Sequence, residues 1–146
     1  MKAAYLANFP KFVEWPAKVA TGASFCVLGQ DPFGMTLDAA VAGETIHRIQ
    51  LAAKRVSKAQ DALDCRVLFV SSSEESHWTE IQAALKTSSI LTVSDMREFA
   101  RRGGIVQFVL DGNRVRFEVN LTATGPAGLT LSSELLKLAV AVRRNP

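Results

Sequence analysis

The sequence predicts an α/β fold. The expected form is a layered sandwich with a mostly parallel sheet, helices on both faces, and a C-terminal antiparallel hairpin followed by an amphipathic helix. Three observations carry this. Short apolar runs at 24–28, 66–70 and 90–93 alternate with stretches of helical period, the order found in parallel-sheet proteins. Residues 105–110 are apolar except Gln107, as in a strand buried on both faces. After the turn signal Asp111-Gly112-Asn113, Val115, Phe117 and Val119 alternate with Arg114, Arg116 and Glu118. That is the period of a strand with one wet face, so the two runs should pair as a hairpin.

The first stretch, KAAYLANFPKFVEWP, sets Leu6, Phe9 and Val13 on one face with Tyr5, Phe12 and Trp15 beside them. It predicts a helix to about Phe12, bent or ended near Pro10 and closed by Pro16. Core packing is the first reading of its aromatics, and a binding surface the second. Asp31-Pro32 is expected to cap a helix through Ala42, with Gly43 just past its end. Residues 46–51 read as a strand, and 54–64 as polar and irregular. Ser72 with Glu75 reads as a capping box, opening a helix that carries Trp78, Ile81 and Leu85 on one face. Asp95 and Glu98 predict a short helix stopped by Gly103-Gly104. Gly125-Pro126 and Gly128 break the chain, and Ser132 caps a last helix with Leu131, Leu135, Leu138 and Val142 on one stripe.

At 146 residues the chain is expected to form a single domain, long enough to fold without a metal. Its 48% hydrophobic and 21% charged residues are ordinary globular values. The net charge of +3 is mild and its basic residues are scattered, which does not point to nucleic acid. No apolar run approaches the roughly 20 residues of a membrane span, so no direct membrane insertion is expected. Nor is a signal peptide visible, which taken alone implies the cytoplasm.

Catalytic and cofactor motifs are missing. Residues 29–36, GQDPFGMT, have the spacing of a phosphate-binding loop, but Met35 stands where the loop lysine belongs and Asp31 would repel a phosphate. His47 and His77 are isolated, and with two cysteines they do not make a zinc site. No nucleophile elbow or metalloprotease helix occurs, so no enzyme activity and no cofactor are expected. Asp31, Ser71, Ser72, Ser73, Ser94 and Asp95 do gather at strand exits, where open α/β sheets bind ligands. The same residue types are preferred helix caps, and that reading weighs more. Cys26 and Cys65 could be bonded or two reduced, buried thiols; spacing alone leaves both open.

Taken together, KAAYLANFPKFVEWP, FCVLGQDPFG, DCRVLFVSSSE, ILTVSD, FARRGGIVQFV and VRFEVNLTATGPAGLTLSSELLKLA resemble the YfiR-like family, in its order and over nearly the whole chain. The resemblance implies an exported periplasmic protein with an α/β fold, a tendency to form a homodimer, and a removed leader. It implies a disulfide between Cys26 and Cys65, which match family cysteines; the second pair of some members is absent. It further implies repression of a membrane diguanylate cyclase through that enzyme's periplasmic region, and so lower cyclic-di-GMP and less biofilm. An outer-membrane lipoprotein is a further implied partner. Tyr5, Phe9, Phe12 and Trp15, with Arg114 and Arg116, are the contact candidates, since aromatics and arginine most often carry interface energy. The alternative expectation is a periplasmic small-molecule sensor using the strand-exit cluster.

Overall fold

Asp111 and Arg114 close the expected hairpin: in a computed structural model of the chain, β8 (Val106–Asp111) pairs antiparallel with β9 (Arg114–Asn120), placing Phe108 opposite Phe117. The structure describes residues 2–15, 24–43, 45–46, 49–50, 52–85 and 88–143. In chain order, α1 (Lys2–Asn8) runs through a 3-10 turn (Phe9–Phe12) into β1 (Val13–Glu14). Then come β2 (Ser24–Leu28), α2 (Met35–Val41), the small strands β3 (Thr45–Ile46) and β4 (Ile49–Gln50), and β5 (Ala52–Val56). A 3-10 turn (Ala59–Ala62) precedes β6 (Val67–Val70), and another (Ser72–His77) leads directly into α3 (Trp78–Ala84). After β7 (Leu91–Ser94) and the hairpin, the chain forms α4 (Thr124–Ala127), β10 (Thr130–Leu131), α5 (Ser133–Leu138) and β11 (Ala141–Arg143).

The main sheet has the order β11-β9-β8-β7-β6-β2-β5. From β5 to β8 its strands are parallel; β9 is antiparallel to β8, and β11 lies parallel to β9. The sheet is buried on both faces through β6, whose residues are apolar in both directions, and through β7, where Thr92 and Ser94 are buried with their hydroxyls hydrogen-bonded to backbone. One face packs Phe25, Val27, Phe69, Phe108 and Phe117 against Leu6, Phe9, Leu37 and Leu135. The other packs Cys26, Leu28, Leu68 and Val70 against Trp78, Ile81, Met96 and Phe99. Toward the hairpin this second face turns polar, with Arg116, Glu118 and Arg143 on the strands.

Several expectations are corrected. The first helix ends at Asn8, and Val13–Glu14 is a strand on Thr130–Leu131; Pro10 lacks the N–H that a longer helix needs. The second helix starts at Met35, because Gly34 at φ 55° turns the chain after Pro32. Residues 46–51 split into β3 and β4, with 47, 48 and 51 outside the described residues. Residues 52–56, partly read as irregular, form a parallel edge strand; an exposed edge tolerates the polar Lys54 and Arg55. The cap after β6 is Ser71, whose hydroxyl accepts from the Ser73 N–H. Residues 96–103 are a run of turns, and Glu98 at φ 58° interrupts helical geometry. The last helix is capped by Ser132 as expected, but stops at Leu138. Ala141–Arg143, including Val142, becomes the edge strand outside β9, so the hairpin is not the sheet edge. Alternating Ala and Val suits that strand better than a helix end.

Candidate functional site

The chain leaves β2 toward β5 on one side of the sheet and then adds β6 on the other side. The carboxyl ends of β2 and β6 therefore form a topological switch point, the position where open sheets of this kind bind ligands. Here the crevice is filled by the protein itself. Gly29 has φ 93°, and a Cβ there would stand 2.7 Å from Ser73 Oγ and from Glu74 Cγ. The Gln30 N–H donates to Ser73 Oγ (3.0 Å), and that hydroxyl lies 3.2 Å from Ser71 Oγ. Ser94 is fully buried, donating to the Val70 carbonyl and accepting from the Met96 N–H. Asp31 accepts from the Phe33 and Gly34 N–H groups at 2.9 and 3.1 Å. Ser72 is exposed and Asp95 half-buried. Of the six strand-exit residues, Asp31, Ser71, Ser73 and Ser94 thus work as caps and loop ties, which the preference of Ser and Asp for such positions explains.

Sequence reasoning missed the cation at this end of the sheet. Arg55 donates from Nε to Asp31 (3.0 Å), from Nη1 to Asp38 (2.9 Å) and from Nη2 to the Gly34 carbonyl (2.6 Å). Its hydrogen bond holds the Asp38 carboxyl below the usual carboxylate pKa, and the same bond raises the guanidinium of Arg55. The Lys54-Arg55 pair in an otherwise apolar edge run was the only available signal.

The contact candidates divide. Phe9 and Trp15 are 1% and 8% exposed and belong to the core, so neither offers a surface in the described chain. Phe9 stacks on Phe108 and meets the edge of Phe117. Trp15 lies under the guanidinium of buried Arg66, 5.7 Å from its ring centroid. Tyr5 and Phe12 are half-buried and pack on the same core. Arg114 is exposed, and Arg116 is half-buried with its guanidinium 3.9 Å from Asp111. Val115, Phe117 and Val119 face the core side of the hairpin.

Cys26 and Cys65 are joined in a disulfide, with their Cα atoms 6.1 Å apart and both residues buried. It ties β2 to the segment entering β6. Among the described residues no cluster of three or more His, Cys, Asp or Glu could hold a metal ion. His77 is exposed, 3.8 Å from Glu74, and His47 lies outside the described residues.

A second concavity opens on the α3 side of the sheet, toward the amino ends of β7 and β8. It is a groove of about 690 Å³ between α3 and the segment around α4, floored by Ile90, Thr92 and Ile105. Three of the polar side chains along it, those of Trp78, Thr92 and Asn120, are paired within the protein, and Thr79, Gln82, Ser88 and Thr122 also line it. Trp78 Nε1 donates to the Arg102 carbonyl (2.9 Å), and Thr92 Oγ1 accepts from the Ile105 N–H (3.0 Å). Asn120 donates to the Ala100 carbonyl (2.7 Å) and accepts from the Ala123 N–H (3.2 Å).

A family model described as YfiR/HmsC-like matches residues 1–140. No curated protein matches the chain. Among solved structures, a conserved domain protein from Vibrio cholerae O1 biovar eltor superposes with TM-score 0.63 at 15% identity, over 83% of this chain. An ABC domain in complex with L-Trp from Streptococcus pneumoniae superposes with TM-score 0.68 at 10% identity, over 96% of this chain. The match takes up 55% and 60% of those two chains, respectively. At such identities the likeness is one of fold.

Proposed function

The chain belongs to the YfiR/HmsC-like family, and from that premise we propose that it is a non-catalytic periplasmic regulator that binds and represses a membrane diguanylate cyclase. The match over residues 1–140 is the observation that carries this reading. The Cys26–Cys65 bond fits it, since disulfides persist in oxidising compartments such as the periplasm. So does the fold: no helix among the described residues is long and apolar enough to cross a membrane. Repression lowers cyclic-di-GMP and biofilm formation by occupying the cyclase's periplasmic region. In this reading the protein acts as a homodimer, and an outer-membrane lipoprotein is a second binding partner.

The hairpin's polar face is the contact surface in this reading. Arg114 and Arg116 stand there on a strand whose opposite side is anchored by Phe117 and Val119 in the core. A rigid strand presenting arginines loses little backbone entropy on binding. Tyr5 and Phe12 pack on the opposite, core side of the hairpin and stand outside this surface.

The test is cellular cyclic-di-GMP in a strain lacking the protein, complemented with the wild type or with an Arg114→Glu/Arg116→Glu double variant. Loss of the protein raises cyclic-di-GMP and the wild type restores it. The double variant keeps its melting temperature and fails to restore repression. An unchanged level on deletion overturns the regulatory reading; a folded double variant that represses fully overturns the contact surface alone.

A further inference from the structure

We propose that the groove between α3 and the α4 segment binds a small monoanionic amphiphile, with an apolar body along the groove and a carboxylate head at Arg101. This site is separate from the hairpin face and does not depend on the identity of the protein partner.

The groove's size, about 690 Å³, is that of a small-molecule pocket. Its walls and floor are mainly apolar, with Leu85, Ile90, Ile105 and Ala127 among the lining side chains. The polar groups of Trp78, Thr92 and Asn120 are already matched by backbone partners. A ligand rich in hydroxyls would lose water along the floor at Ile90, Thr92 and Ile105 without regaining hydrogen bonds there. An apolar body loses nothing there.

Charge decides the other end. Among the described residues, Arg101 and Arg102 are the charged ones that line the groove, and no carboxylate does. Arg102 is engaged with Glu75, whose carboxylate lies at 3.3 Å and whose carbonyl accepts a second bond. Arg101 is exposed and has no ion-pair or hydrogen-bond partner among the described residues. One uncompensated guanidinium beside an apolar trough matches one anionic head, and a guanidinium binds a carboxylate through two parallel hydrogen bonds. A zwitterion fits poorly, because the described lining offers its ammonium group no carboxylate.

Decanoate, below the concentration at which it aggregates, is the probe. Titration is followed by calorimetry and by the indole N–H resonance of Trp78, which lies in the groove wall. Saturable binding that shifts this resonance is expected. Arg101→Glu, at an exposed turn position, should weaken it about tenfold or more, and decan-1-ol should bind correspondingly less well than decanoate. Ala83→Trp, on the exposed side of α3, should abolish binding by filling the groove while leaving the melting temperature unchanged. No saturable binding overturns the proposal, as does binding that survives either variant. Tighter binding of L-tryptophan than of decanoate at the Trp78 resonance overturns it too. Sedimentation with phosphatidylglycerol vesicles without binding of free decanoate overturns it in favour of a membrane surface.

Discussion

Asp38 and Arg55 show what a single charge pair can do at an exposed edge. The hydrogen bond from Arg55 depresses the Asp38 pKa, so the folded state favours the ionised carboxylate more than the unfolded chain does. The stabilisation is therefore complete above the unfolded value near pH 4 and is lost as pH falls through the lower folded value. Asp38→Asn should lower the melting temperature at pH 7, with the gap to wild type closing below about pH 4; thermal melts across that range check it. Phe117 and Arg116 are neighbours in sequence with opposite fates. Phe117 is 1% exposed and meets Tyr5, Phe9 and Phe108, so Phe117→Ala should cost about 3–5 kcal/mol. Arg116→Glu should cost about 0.5 kcal/mol, since its pairing with Asp111 is long and exposed. Urea unfolding of both variants distinguishes a core ring from a surface cation.

At the scale of elements, the loop after β2 is the most constrained. Gly29→Ala would combine a positive φ with a Cβ 2.7 Å from the Ser73 hydroxyl. It should destabilise by more than about 1 kcal/mol and loosen the contact between the β2 and β6 exits, seen as faster amide exchange at Gln30. Residues with one dominant instruction were legible in the sequence. Buried strands such as Val67–Val70 announced themselves by unbroken apolar content, and the hairpin by its turn and alternation. The cap at Ser132 did so by residue type. Elements set by tertiary partners were not legible. Ala52–Val56 is a strand because β2 offers it an edge, and Ala141–Arg143 because β9 does. The strand-exit serines could be read as caps or as ligands, and only the geometry of Ser73 over Gly29 separates the two. The groove was not visible either, since Trp78, Thr92, Asn120 and Arg101 come from four separate stretches of chain.

Across the molecule, the disulfide crosses the face that α3 covers, and it closes a loop containing α2, β5 and the 3-10 turn before β6. With a separation of 39 residues, replacing both cysteines by alanine should lower stability by about 4 kcal/mol in the chain-entropy model. Denaturant titration of that variant measures it, and alkylation without reductant should find no free thiol in the wild type. The pairing of β1 with β10 has a different kind of consequence, one of timing. The apolar side of α1 and Val13 find their partners in Phe108, Phe117 and Leu131, roughly a hundred residues downstream. A chain made from its amino end must carry those aromatics uncovered until the hairpin and β10 have emerged. The α1–β1 segment is thus made well before its partners and is among the last of the described elements to be buried, and through that interval it is a part of the protein in need of a chaperone.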